Sequence, residues 1–142
     1  MKPRFVRDIK AWENAILYNK WGRAMTVVGG RRVEYRNNYL HGGDSPTACF
    51  YFAQEGAYVT WEADSVYAHD NQLVGCGGST HPASLLVFAD QWPNRNIRIE
   101  NNGFWANRGS SGSIAVFGTN LNVTQSGNTT DVGANPPILA VP

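Results

Sequence analysis

Two acidic residues sit in matching settings along this chain. Glu55 closes the run Ala53-Gln54-Glu55, and Asp90 follows Ala89 in Ala89-Asp90-Gln91. Each comes at the end of an apolar stretch, Cys49-Phe50-Tyr51-Phe52 in one case and Leu85-Leu86-Val87-Phe88 in the other. Neighbouring carboxylates raise one another's proton affinity, which separates an acid from a base. At about 5–5.5 Å such a pair suits glycoside cleavage with retention, and at about 6.5–9.5 Å with inversion. Aromatic residues follow both acids: Tyr58 and Trp61 after Glu55, Trp92 after Asp90. Their flat faces match the apolar C–H faces of sugar rings, and their edges can hydrogen-bond. Arg23 precedes another apolar stretch and could meet an acidic group on a substrate, and His81 lies in a loop insertion. Glu55 and Asp90 are therefore the expected catalytic pair, with Tyr58, Trp61, Trp92, His81 and Arg23 as substrate contacts. The plainer alternative is that both acids cap turn N–H groups and the tryptophans pack under their own loops.

Other chemistries find little support. Val28-Gly29-Gly30-Arg31 lacks the Gly-Lys-Ser/Thr ending of a phosphate loop. Gly109-Ser110-Ser111-Gly112-Ser113 is a flexible turn rather than a nucleophile elbow. His41 and Asp44 could form an acid/base or metal pair, but two ligands do not make a site. No metal or other cofactor is expected. Cys49 and Cys76 fit no metal spacing. A buried free thiol is the plain reading of Cys49, and a disulfide to Cys76 stays open.

The acids depend on a repeat to bring them together. Four apolar stretches end in Gly or Ala: Met25-Thr26-Val27-Val28-Gly29, Cys49-Phe50-Tyr51-Phe52-Ala53, Leu85-Leu86-Val87-Phe88-Ala89 and Ile114-Ala115-Val116-Phe117-Gly118. A second series keeps step with them. Val33 and Tyr35, Ile97 and Ile99, and Leu121 and Val123 alternate with polar residues, as in half-buried strands, with Val66 in a weaker fourth example. Each of these segments closes on Asn, at Asn38, Asn71, Asn102 and Asn128. Asn tolerates the left-handed backbone region and turns the chain sharply. Recurrence at roughly 20–50 residues is the signature of a solenoid.

This layout resembles the right-handed parallel β-helix of the pectate-lyase-like superfold, on residues 33–42, 66–75 and 97–107 with the apolar strand after each. The resemblance implies an all-β solenoid of about four to six coils stacked at about 4.8 Å. It implies that Val28, Phe52, Phe88 and Phe117 form an inward file, and that the turn asparagines form an amide ladder. It also implies carbohydrate chemistry: a protein acting on an extracellular polysaccharide, by hydrolysis more than by elimination. A non-catalytic glycan-binding module and a structural solenoid, such as an adhesin or tailspike segment, are the alternatives.

Bulk properties bound the rest. With 142 residues the chain is long enough for one domain with a substantial core. A formal net charge of +1 gives no electrostatic argument for nucleic acid, and no apolar run approaches the ~18 residues of a membrane span. The first residues lack the apolar segment of a signal peptide, so an extracellular or cell-surface location goes with the chain being part of a longer protein. Residues 1–20 read as an opening coil or cap, with the helix-like spacing of Ile9, Trp12 and Ile16 as the competing reading. Residues 131–142 read as a tail lying across the last coil. A short solenoid leaves an open edge at its first coil, so self-association or a partner chain there is expected.

Overall fold

The computed structural model describes residues 6–17, 23–43, 47–56, 61–78 and 81–141. Within these residues the chain is a parallel β-helix of five coils built on three sheets, with no α-helix. Sheet A stacks β1 (Val6–Trp12), β4 (Gly30–Arg36), β7 (Asp64–His69), β10 (Asn94–Glu100) and β13 (Asn120–Ser126). Sheet B stacks β2 (Ala15–Ile16), β5 (Tyr39–His41), β8 (Gln72–Val74), β11 (Gly103–Trp105) and β14 (Thr129–Thr130). Sheet C stacks β3 (Met25–Val28), β6 (Phe50–Gln54), β9 (Leu85–Ala89), β12 (Ile114–Phe117) and β16 (Ile138–Val141). Each coil visits A, B and C in turn. Residues 6–16 form strands of the first coil, so the helical reading of Ile9, Trp12 and Ile16 does not hold.

Alternation decides which side chains fill the interior. Sheet A sends in the file Ile9, Val33, Val66, Ile97 and Val123, and beside it Ala11, Tyr35, Ala68 and Ile99. Leu40, Leu73 and Phe104 enter from sheet B, and all three are buried. Sheet C supplies Met25, Phe50, Leu85 and Ile114 with Val27, Phe52, Val87 and Val116. Tyr35 bridges the sheets, its ring stacked on Phe52 at 5.8 Å and tilted against Phe50 at 5.3 Å.

One expected file is out of frame. Phe52 stacks inward with Val27, Val87 and Val116, while Val28, Ala53, Phe88 and Phe117 make a separate outward file. The shared Gly/Ala ending misaligns the second coil, because β6 continues through Gln54, which pairs with Ala89. A one-residue slip turns a side chain to the other face of a sheet. The outward file joins a second apolar cluster with Tyr51, Leu86 and Ala115, on the outer face of sheet C.

The A-to-B turn carries the asparagine ladder. Asn38, Asn71, Asn102 and Asn128 are buried, and each passes its amide N–H to the next oxygen: Asn38 to Asn71 at 2.9 Å, Asn71 to Asn102 at 2.9 Å, Asn102 to Asn128 at 3.0 Å. Asn14 adds a rung before them, donating to Asn38 at 2.9 Å. The residue before each rung is left-handed: Glu13, Asn37, Asp70, Asn101 and Gly127 have φ of 57°, 52°, 55°, 54° and 63°. These five make one vertical file, which fixes the turn in every coil.

Cys49, just before β6, and Cys76, just after β8, are joined in a disulfide with Cα atoms 5.6 Å apart. Both are buried, so the bridge ties coil two to coil three from inside. The free-thiol reading of Cys49 is thereby replaced. The C-terminal residues also behave differently from the expected tail. Strand β15 (Gly133–Ala134) folds back antiparallel on β14, and β16 then joins sheet C in parallel register with β12. The segment completes the fifth coil instead of crossing it.

Candidate functional site

The site begins with a buried glutamine. Gln54 ends β6 with no exposure, and its Oε1 accepts hydrogen bonds from the Gln91 N–H at 2.7 Å and the Trp92 N–H at 3.0 Å. The Gly56 N–H donates to Asp90 Oδ2 at 3.0 Å. These bonds stitch the C-to-A corner of coil two onto that of coil three. A Cβ at Gly56 would meet the side-chain ends of Gln91 and Asp90, so the two corners are closely packed here. Because Gln54 pairs with Ala89, Glu55 and Asp90 follow in equivalent places on adjacent coils. Backbones of adjacent parallel strands lie about 4.8 Å apart.

Tyr51 forms the centre of the cluster. Its alternation with Phe50 and Phe52 turns it outward on sheet C, yet it is only 4% exposed. The Arg23 guanidinium, arriving from the first coil, lies 3.7 Å above the Tyr51 ring. Such a contact is worth about 0.5–2 kcal/mol, more as water is excluded. Arg23 Nη2 also comes within 3.6 Å of Glu55 Oε1. Burial pushes the Tyr51 phenol well above its usual value, helped by its hydrogen bond to the Glu55 carboxylate and by that group's charge.

His81 closes the cluster from the third coil. Its Nε2 accepts from Arg23 Nε at 3.0 Å, with Arg23 Nη2 at 2.9 Å, and its ring meets Tyr51 edge-on at 5.6 Å. A nitrogen that accepts from guanidinium carries no proton, so the ring is neutral with its proton on Nδ1. Burial, and then the Arg23 charge, lower the His81 pKa, in keeping with this tautomer. The Nδ1 atom is buried and has no hydrogen-bond partner among the described residues.

Of the residues expected from the sequence, Arg23, Glu55 and His81 are brought into one network, and Asp90 is bonded to the adjoining turn. Trp61 and Trp92 are 49% and 60% exposed at the corners of coils two and three. Tyr58 lies outside the described residues, as does Asp44. Tyr51 and Gln54 were missed. The signal for Tyr51 was its polar tip at the odd position of Phe50-Tyr51-Phe52. Gln54 gave none, since a buried turn-holding amide looks like any polar strand end.

The arrangement offers Glu55, Arg23 and Asp90 as polar contacts, with two open indoles at the corners of coils two and three. Among the described residues no group of three or more His, Cys, Asp or Glu is set to hold a metal ion, and no helix is long and apolar enough to cross a membrane. A cavity of about 470 Å³ lined by Phe104, Ser113, Asp131 and Pro136, among others, lies at the fifth coil and shares no residue with this cluster. No protein-family model matches the chain, and neither a curated protein nor a solved structure matches it.

Proposed function

We propose that the protein is a carbohydrate-active β-helix that binds an extracellular polysaccharide along the corner between sheets C and A. The observation carrying this reading is the pair of exposed tryptophans. Trp61 and Trp92 stand on the corners of adjacent coils, with the acids Glu55 and Asp90 on the same two corners. The flat indole faces suit the apolar C–H faces of sugar rings, and the indole N–H can bond a ring hydroxyl. Carboxylates beside stacking surfaces accept hydrogen bonds from ring hydroxyls. The buried Cys49–Cys76 disulfide favours an oxidising, extracellular setting.

The reading is tested by binding to a panel of plant, algal and microbial polysaccharides, by affinity electrophoresis and calorimetry. Trp61→Ala and Trp92→Ala are each expected to lose about 1 kcal/mol, some fivefold in Kd, without loss of stability. A panel with no ligand, or variants that bind as well as the parent, would refute it.

A second reading, hydrolysis, is favoured by one observation: Glu55 and Asp90 occupy equivalent positions one coil apart. Backbones one coil apart lie about 4.8 Å from each other, which lets two carboxyl groups approach to the separation that a retaining glycosidase uses. Glu55, ion-paired with Arg23, would serve as the nucleophile, and Asp90 as the acid. Under this reading Glu55→Gln and Asp90→Asn abolish release of reducing ends while polysaccharide is still bound. Under the binding reading no reducing ends appear with the parent chain.

A further inference from the structure

The turns from sheet B to sheet C stack tightly in coils two to four. The residue after each sheet B strand donates its N–H to a carbonyl one coil on: Gly42 to Val74 at 2.9 Å, and Gly75 to Trp105 at 2.8 Å. The Arg108 N–H bonds the Cys76 carbonyl and the Ser111 N–H the Pro82 carbonyl, both at 2.8 Å. The pattern breaks between coils four and five. By register the Ala106 N–H is due at the carbonyl of Asp131, but the side chain of Asp131 takes it instead, at Oδ2, 2.7 Å away. There the chain turns back, with Thr130 Oγ1 donating to the Gly133 carbonyl at 3.0 Å and β15 pairing antiparallel with β14. Among the described residues no backbone hydrogen bond joins 131–137 to the turn 106–113.

The cavity of about 470 Å³ lies where these two turns fail to meet. That size is in the range of small-molecule sites. Phe104 lies at its base, Pro136 and Pro137 line it, and Val132 stands 96% exposed at its rim. Two polar groups are left unused. Ser113 is only 9% exposed, and its hydroxyl makes no hydrogen bond to another described residue. Asp131 is the one charged residue of the lining, and its Oδ1 accepts nothing among the described residues.

We propose that this cavity binds a small organic ammonium, an apolar group carrying one protonated amine. The apolar group fills the space beside Phe104 and the two prolines. The amine donates to Asp131 Oδ1 in a charge-assisted hydrogen bond, and the Ser113 hydroxyl offers a further acceptor from the turn of coil four. The lining holds a carboxylate and no Arg, Lys or His, which sets it against an anion. It also suits a sugar poorly: Asn107, the amide of the coil-four side, is already engaged with Ser84 and Gly109, and most of the remaining wall is apolar. The cavity stands apart from the corner between sheets C and A, so its ligand does not depend on what binds there.

The probes are cyclohexylamine, cyclohexanol and cyclohexanecarboxylate, one ring with three head groups, titrated into the full chain at neutral pH. The backbone amide NMR signals of Gly112, Ser113, Val132 and Gly133 report binding. The amine is expected to bind about tenfold more tightly than the alcohol, and the carboxylate not at all. Asp131→Asn keeps an acceptor for the Ala106 N–H and should bring the amine down to the level of the alcohol. Val132→Arg sets a cation at the rim from an exposed position, outside the packed interior, and should weaken the amine about tenfold while leaving the alcohol unchanged. No binding of the amine, equal binding of amine and alcohol, preference for the carboxylate, or amine affinity unchanged in either variant would each overturn the proposal.

Discussion

Replacing one interior rung of the ladder should cost a large share of the protein's stability. Asn71 is fully buried and makes five side-chain hydrogen bonds. Its Oδ1 accepts from the N–H and amide of Asn38, and its amide donates to Asn102 Oδ1 and to the carbonyls of Tyr35 and His69. Asn71→Ala leaves two Asn38 donors facing a space with no acceptor. Each stranded donor costs about 1–3 kcal/mol, so the loss should total about 2–6 kcal/mol. Whole-domain stability is typically about 5–15 kcal/mol, so the variant should stay folded only marginally. Asn71→Asp should be no better: it keeps an acceptor for Asn38 but sets a second oxygen against Asn102 Oδ1. Asn14→Ala, at the exposed end of the ladder, should cost about 1 kcal/mol, because Asn38 Oδ1 still receives the backbone N–H of residue 14 at 3.1 Å. Urea unfolding followed by tryptophan fluorescence measures all three, with the interior variant shifted by about 1–3 M. Equal losses at Asn14 and Asn71, or a loss below about 1 kcal/mol at Asn71, would refute the ladder as a source of stability.

Other consequences can be measured on the same protein. Reducing Cys49–Cys76, or replacing both by Ser, opens a loop with a sequence separation of 27 and should cost about 3.5 kcal/mol on a chain-entropy basis, read as a drop in Tm. Burial holds the Tyr35 phenol at about 12 against an ordinary 10.0, so its contribution is intact below pH 10 and is lost as pH rises toward 12. Near-ultraviolet titration should therefore find Tyr35 and Tyr51 un-ionised in the native chain near pH 11, when unfolded tyrosines have ionised. Ionisation of all six tyrosines in one step near pH 10, with the fold intact, would contradict that. Gly118→Ala should destabilise strongly, because φ is +71° and the added methyl would meet the Ala89 carbonyl. A melting temperature unchanged from the parent would count against the close corner.

Much of the architecture could be read before the coordinates, because it rests on local rules. Alternation at Val33 and Tyr35 or at Ile97 and Ile99 fixes an inward face, and a turn asparagine needs only its own φ and its neighbours above and below. What failed depended on a single residue of register. Gln54 stands where the other coils have Gly29, Ala89 and Gly118, so Ala53 was aligned with them and Phe52 was put in the wrong file. Pairing of Cys49 with Cys76 could not be read, because it needs the loop between β5 and β6 to come back beside the end of β8. In the candidate site, Arg23, Glu55 and His81 were each picked out singly. Their meeting over Tyr51 depends on Arg23 reaching across a coil, and no sequence spacing reports that.

Backbone and indole NMR shifts during titration with a bound oligosaccharide decide whether a sugar chain lies along the corner of coils two and three. The indole N–H signals of Trp61 and Trp92 should move together with the amides of Glu55, Gly56 and Gln91, while those of sheet B stay fixed. Shifts confined to sheets A and B, or none at any oligosaccharide concentration, would contradict it.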